Sequence, residues 1–287
     1  MTSQREEKVL GRARSLRQRE HLLRPSLRLK SLGEAEEFVR NKKLVSVLGG
    51  NELPSIVSAF LGREWKPSGK GFSSWLEWWS LKVSGENLGR ALAKLERSKV
   101  LVPTRIFRKS KTLVSRESWS AIEPVSQYFS SQVPKHGTFS EFETRIFEYI
   151  AEKGSIRTDR LREALGVKTK TESVRFHLGL SRLEGFALIF GVEDPNPERH
   201  LHANIWSSWK SLHREIQPVR SLSYHEGVGQ LLLEALDSAV LASEKEVAKW
   251  FQWKQSTLEC KEELLNSERI IQAGDFLVTP RAAIGSR

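Results

Sequence analysis

Cysteine is all but missing from this sequence. Cys260 is the only one in 287 residues, which excludes an intrachain disulfide and any cysteine-built zinc finger within one chain. A reducing cytoplasm is the expected setting, and no cofactor is expected. Aspartate is scarce as well, and the first to occur is Asp159. No apolar run reaches the length of a bilayer, and no signal-peptide core is visible, so no membrane partner is expected. Acidic residues are outnumbered: 46 Lys and Arg stand against 35 Asp and Glu, for a formal net charge of +11 and a pI near 9.8. A field of that sign suits a polyanion, either nucleic acid or an anionic surface. With 39% hydrophobic and 28% charged residues the chain belongs to the soluble globular class. At this size, folding can bury about three quarters of the unfolded surface, enough for two or three small domains.

The pattern is clearest from Thr138 to Trp209. Ser140 stands three residues before Glu143, the spacing of a capping box. Phe142, Ile146, Tyr149 and Ile150 then share a helical face, and Gly154 is placed to end the helix. A short second helix is predicted with Thr158 as its cap, Leu161 and Leu165 a turn apart, and Gly166 as its stop. A third runs from the Thr169–Glu172 box to Gly185. Phe186 to Val192 reads as a strand, and residues 193–199 hold Asp194, Pro195, Asn196 and Pro197 as a turn. Leu201, Ala203 and Ile205 then alternate with polar neighbours. Three helices closed by a hairpin describe a winged helix-turn-helix, whose third helix can enter a major groove. Arg175, Gly179 and Arg182 line one face of that helix, set apart from Val174 and Leu178, and Lys168 and Lys170 flank its amino end. The alternative is a solvated face on a protein-binding module, since the fold alone does not decide between them.

The same scheme is visible on either side. Residues 1–30 carry a net charge of +6 and read as a basic arm touching phosphates or as a disordered leader. In either case the segment should be removable with the fold intact. From residue 31 to 136, Leu32, Ala35, Phe38 and Val39 mark a helix, Leu44 to Leu48 an apolar run, and Leu53 to Leu61 the next helix. Trp75, Trp78 and Trp79 are spaced as core. Between Ser84 and Lys99, Leu88, Leu92 and Leu95 make a buried stripe, with Arg90, Lys94 and Arg97 on another face. The hairpin that follows carries Arg105, Arg108, Lys109 and Lys111. This is the most DNA-like surface of the chain, although charge runs are often only solvated faces. Trp119 to Ser131 reads as a connecting helix. From 220 to 282, Val228, Leu231, Leu232 and Ala235 stripe a first helix, and Ser243–Glu246 and Ser256–Glu259 are spaced to cap two more. From Ser256 to Arg269 the net charge is −2, so that face should repel phosphate.

Three tempting motifs fail on spacing. The Gly62–Gly71 loop has six residues between Gly62 and Gly69, and Gly71 stands where a magnesium-binding hydroxyl belongs. His200 and His202 have no second ligand pair. Gly229 replaces the second histidine that His225 and Glu226 would need as a zincin.

Over roughly residues 31–280 the chain resembles the AlkZ-like winged-helix DNA glycosylases, and more closely the AlkZ-related proteins of that superfamily. Glu52-Leu53-Pro54-Ser55 resembles the Glu-Leu-Pro-Ser that opens the second helix in the related group. Trp78, Trp79 and Lys82 resemble its tryptophan-lysine cluster, and Phe251-Gln252-Trp253 its phenylalanine-glycine-tryptophan turn. The resemblance also implies a Gln-x-Gln or Gln-x-Asp motif after the first helix, which positions the attacking water in active members. Here the equivalent stretch, Leu44 to Gly50, has no Gln, Asp or Glu.

The expected fold is therefore mainly α with small β-hairpins, as three tandem winged helix-turn-helix units: arm 1–30, units 31–136, 137–219 and 220–282, and tail 283–287. The expected function is binding of double-stranded DNA, damaged duplex included, in a nucleoid-associated setting, without strong base excision. The expected contacts are Lys82, Arg90, Lys94, Arg97, Arg105, Arg108, Lys109, Lys111, Lys168, Lys170, Arg175 and Arg182. Two alternatives stay open: an active glycosylase using Glu52 or Glu77, and a transcription regulator or protein-bridging scaffold.

Overall fold

Short capped helices alternate with apolar runs of three to five residues throughout the computed structural model, which describes residues 4–66, 77–83, 85–133, 135, 137–194, 203–213 and 221–284. The result is a mostly helical chain with small antiparallel sheets, consistent with winged-helix architecture. Its helices are α1 (Gln4–Glu20), α2 (Leu32–Lys42), α3 (Ile56–Leu61), α4 (Leu88–Glu96), α5 (Trp119–Ser130), α6 (Glu141–Lys153), α7 (Thr158–Ala164), α8 (Lys170–Gly185), α9 (Trp209–His213), α10 (Tyr224–Ala239), α11 (Glu244–Val247), α12 (Lys254–Asn266) and α13 (Pro280–Ile284). The strands are β1 (Leu44–Ser46), β2 (Lys82–Val83), β3 (Glu86–Asn87), β4 (Leu101–Thr104), β5 (Thr112–Ser115), β6 (Ser155–Arg157), β7 (Ile189–Glu193), β8 (Asn204–Ser208), β9 (Leu241–Ser243), β10 (Ile271–Ala273) and β11 (Phe276–Val278). No helix among the described residues is long and apolar enough to cross a membrane.

The three-stranded sheets share one order: β1-β5-β4, β6-β8-β7 and β9-β11-β10. In each, a strand that follows a helix pairs with the far strand of a later hairpin. The expected capping boxes at Ser140–Glu143 and Thr169–Glu172 are present, with hydroxyl and carboxylate each accepting from the other residue's backbone N–H. Gly154 closes α6 at φ 75°, a left-handed conformation that glycine adopts without a Cβ penalty.

Several local expectations are corrected. The buried face of α8 is Phe176, Gly179, Leu180 and Leu183, so Gly179 points inward while Val174 and Leu178 point out. The 3.6-residue period admitted both phases. The close crossing of α6 selects one, because a Cβ on Gly179 would lie 3.0 Å from the Ile146 Cδ1. On β8 the inward residues are Trp206 and Ser208, not the Ala203–Ile205 set. A slip of one residue exchanges the two faces of a strand. Thr158 does not cap α7, whose N-cap is Arg157. Its Oγ1 instead accepts from the Trp206 indole at 2.9 Å and donates to the Asn204 carbonyl at 2.9 Å. Ser243 precedes α11 without a side-chain cap, and α12 starts at Lys254 behind Trp253, ahead of the expected Ser256. The helix expected from Ser84 to Lys99 is shorter, Leu88–Glu96, behind the β2–β3 ribbon. Trp78 is buried as expected, and Trp79 packs over Gly89, where any Cβ would collide with its ring. Trp75, Ser84, Leu201 and the 195–199 turn lie outside the described residues.

The basic amino-terminal segment is a packed helix, neither a free arm nor a disordered leader. Leu10, Ala13 and Leu16 of α1 form a core cluster with Val240, Leu241, Ala273, Val278 and Ala282. Removing residues 1–30 would therefore uncover the apolar partners of Leu10, Ala13 and Leu16. His21, just beyond α1, is buried with Nε2 3.0 Å from the Ser238 carbonyl, so that nitrogen carries the proton. Burial, assisted by Arg17, pushes the ring down to about 3.

A larger core joins residues from all parts of the chain, from Leu44, Ile106 and Phe107 through Ile146 and Phe176 to Leu231, Trp250 and Leu277. Its polar pin is Arg108. The guanidinium donates to both Glu52 carboxylate oxygens at 2.7 and 2.8 Å and to Glu246 at 2.6 Å. The Arg108 amide donates to the Trp250 carbonyl at 2.6 Å, and the Trp250 indole donates to Glu52 at 3.0 Å.

The packing around this pin can be tested by substitution. Arg108→Ala leaves Glu52 mostly buried without its cation, and should cost about 2–3 kcal/mol in denaturant unfolding, below the range for fully buried pairs because Arg108 keeps some solvent contact. Arg90→Ala, on an exposed face, should stay within about 0.5 kcal/mol of the parent. A second prediction concerns pH. Unfolded His21 takes up a proton below about 6.5, whereas the folded ring resists to about 3. Between those values the unfolded state binds more protons, so stability falls as pH falls, by up to about 1.4 kcal/mol per pH unit. His21→Gln, which keeps a donor for Ser238, should unfold with a shallower loss of midpoint between pH 6.5 and 4.

Candidate nucleic-acid interface

The cations expected to meet DNA divide into two classes. In one, the side chain already has a partner within the chain, at the surface for Lys82 and Lys94 and against buried or half-buried groups for the rest. Lys82 donates to the Asn87 side chain at 2.6 Å, and Lys94 lies 2.7 Å from Glu86. Arg105 is 3.3 Å from Glu184, whose carboxyl is pushed up to about 8 by complete burial against the opposing pull of Arg105. Lys111 is 2.6 Å from Glu96, another buried carboxyl raised by desolvation. Arg108 is the pin described above. Arg182 binds Glu143 at 3.1 Å and the Thr138 carbonyl at 2.7 Å, and its guanidinium lies over the Phe139 ring at 5.5 Å.

In the other class the side chain is exposed and forms no ion pair among the described residues. It comprises Arg90 on α4, Arg97 at its carboxyl end, Lys109 at the β4–β5 turn, Lys168 and Lys170 at the start of α8, and Arg175. Arg175 rests over the Phe142 ring at 5.1 Å, which fixes its stem and leaves its charge outward. Leu88, Leu92 and Leu95 are buried as the stripe required, so α4 shows Arg90 and Lys94 to solvent.

Five contributors on and beside α8, Arg162, Ser173, Val174, His177 and Leu178, were not legible as such in the sequence. With its outward face properly phased, Val174, Leu178, His177 and Ser173 join Arg162, Lys168, Thr169 and Lys170 around a depression of ≈ 500 Å³. Arg162 donates to the Ser173 hydroxyl at 2.8 Å. Burial, and then Arg162, hold the His177 ring below its ordinary value. The available signal was the other phase of the helical stripe, in which Phe176, Leu180 and Leu183 keep the i, i+4, i+7 spacing.

The outward face of α12 carries Leu258, Glu259, Glu262 and Glu263, the acidic surface anticipated from its charge. Beside it, the Cys260 thiol is 3.6 Å from His225, and burial with Glu263 and Glu259 pushes it up to about 11. It therefore stays protonated and is a poor nucleophile. No cluster of three or more potential metal ligands occurs among the described residues, and His200 and His202 lie outside them.

Of the Leu44–Gly50 stretch, which the resemblance sets against the water-positioning motif, Leu44–Ser46 form the buried edge strand β1 and residues 48–50 are partly or fully exposed. Leu44, Val45 and Val47 face the core, and the Ser46 hydroxyl accepts from the Gly49 amide at 3.0 Å and from Asn51 at 3.3 Å. Glu52 is held between Arg108 and Trp250, and Glu77 is half-buried and engaged in contacts of its own. The other resemblance residues serve the frame. Ser55 caps α3 by accepting from the Ser58 amide at 3.2 Å. Phe251 stacks on Trp253 with centroids 5.2 Å apart, and Gln252 donates to the Arg182 carbonyl at 3.4 Å.

The solved structure of Streptomyces sahachiroi DNA glycosylase AlkZ is similar in fold, with a TM-score of 0.55 at 13% sequence identity, covering 99% of this chain and 72% of that one. No curated protein sequence matches the chain. The model of the family described as AlkZ related matches residues 32–252, and on that span, most of its length, the chain belongs to the AlkZ-related family.

Proposed function

We propose that this protein binds duplex DNA, including damaged duplex, through tandem winged helix-turn-helix units, and that it is a weak or inactive base-excising enzyme. The observation that carries the binding half is the set of outward cations on α4, α8 and the β4–β5 turn, mounted on the helix and hairpin positions that meet DNA in winged helices. The repeated strand order of the three sheets supports three such units. The third has an acidic helix face and serves as a bracket, with α1 packed against it. The phosphate contacts are led by Arg90, Arg97, Lys109, Lys168, Lys170 and Arg175, which form no ion pair among the described residues, joined by Lys82 and Lys94, whose surface partners are weak competitors.

The chemical half rests on β1 and Glu52. A glycosylase needs a placed water and a carboxylate or amide directed at the developing sugar cation. Ser46 is buried and already accepts two hydrogen bonds, and the Glu52 oxygens accept from Arg108 and Trp250. Neither is available to a substrate, which argues against the active-enzyme alternative through Glu52.

Titration of a duplex at several salt concentrations tests the binding. Neutralising about six phosphates gives a slope of roughly −5 in log affinity against log salt. Lys168→Ala/Lys170→Ala/Arg175→Ala should reduce its magnitude by roughly 2 to 3 with the unfolding midpoint unchanged. A slope near zero for the parent protein removes the nucleic-acid reading. For the chemistry, release of an N7-alkylated purine should fall short of an efficient glycosylase by on the order of two decades, as for loss of one positioned acid–base group. Fast release abolished by Glu77→Gln or Ser46→Ala would restore the enzyme reading.

A further inference from the structure

The outward face of α8 carries something that phosphate binding does not require. Val174 is 53% exposed and Leu178 65%, the two standing one helical turn apart. Solvated aliphatic side chains are common singly. Here they line the ≈ 500 Å³ depression together with Arg162, Lys168 and Lys170.

We propose that Val174 and Leu178 read the C5-methyl groups of thymine in the major groove of duplex DNA. The inference rests on the duplex-binding reading above and adds to it a base preference. Charge complementarity identifies the occupant: an apolar pair sharing a depression with three cations fits a polyanion that displays an apolar group between its phosphates. The major-groove edge of DNA has one such group, the thymine methyl, while the other bases present polar atoms there. Covering those polar atoms with Val and Leu would leave donors and acceptors unpaired. Residues four apart on a helix have Cβ atoms about 5–6 Å from each other, between one and two base steps of about 3.4 Å. The pair can therefore meet methyls on neighbouring base pairs. His177 lies beside them, and with its ring held toward the neutral form it adds no phosphate-seeking charge to the centre of the face.

Competition binding with annealed alternating duplexes tests this directly. A dA-dT duplex and a dA-dU duplex differ only in the C5-methyl. A dG-dC duplex and its 5-methyl-dC form differ by the same group in a different base pair. Burying one methyl gives about fourfold in affinity, equivalent to ~0.8 kcal/mol. Preferences of roughly fourfold to fifteenfold are therefore expected for dT over dU, and in the same direction for 5-methyl-dC over dC. Val174→Ser/Leu178→Ser should abolish both preferences while keeping the salt slope, and the unfolding midpoint checks that the variant is folded. Salt-dependent binding with no difference between the partners of each pair would overturn the inference and leave duplex binding standing. No binding to any duplex would overturn both. A preference that survives in the double variant also overturns it, since the methyl reader would then lie elsewhere. So does a dimer that the double variant converts to monomer, because the pair would then be a contact between chains.

Discussion

The ion pair between Arg108 and Glu52 is the constraint on which the arrangement of the whole chain depends. Arg108 sits at the β4–β5 turn with φ 49°, a left-handed conformation that a non-glycine residue holds only when its surroundings impose it. The surroundings are distant in sequence. Glu52 comes from the turn before α3, and Glu246 and Trp250 come from α11 and the loop after it. Even α1 is tied in, since Arg17 donates to the Glu52 carbonyl at 3.2 Å. Because the partners include backbone as well as side chains, shifting any one of these segments leaves a buried donor or acceptor unpaired. Aromatic rings supply the apolar half of the junction, where Phe107 meets Trp250 at 5.1 Å and Phe251 edge-on at 6.0 Å.

The same junction accounts for the motifs that mark the family. Glu52 and the Phe251–Trp253 turn are far apart in the chain and meet there, where Gln252 lies so close to Gly185 that a Cβ on the glycine would collide with its amide. Their chemistry is that of a frame. Glu52 accepts one hydrogen bond on Oε1 and two on Oε2, all from Arg108 and Trp250, so most of its acceptor capacity is spent on holding these segments together.

What the sequence disclosed, and what it withheld, follow from the range of the forces involved. Capping boxes at Ser140 and Thr169, the Leu88–Leu92–Leu95 stripe and the Val228–Ala235 stripe depend on neighbours within a turn or two of helix, and all were legible. The phase of α8 was not, because Val174/Leu178 and Phe176/Leu180 satisfy one period equally well and only the approach of Ile146 to Gly179 distinguishes them. The register of β8 likewise depends on Trp206 reaching Thr158. The amino-terminal helix was opaque for the same reason. Leu10, Ala13 and Leu16 are a sparse stripe among many charges, and their partners lie more than two hundred residues away.

The same distinction governs the candidate interface. A net charge of +11 describes the far field, which steers a polyanion toward the protein, but it does not say which cations can touch one. A guanidinium locked to a buried carboxylate has already exchanged its water for a protein partner. Glu184, with its carboxyl pushed up to about 8, is mostly protonated near neutral pH and holds Arg105 less firmly, whereas recruiting Lys111 to a phosphate would leave Glu96 buried and alone. That penalty amounts to several kcal/mol where the carboxylate stays charged, more than an exposed phosphate contact returns. An outward cation such as Lys170 faces no such penalty, because water and salt ions are its only competitors. Basicity is therefore not availability: the β4–β5 hairpin commits Arg108 and Lys111 to holding the fold, and α8, with fewer cations, presents more of them to solvent.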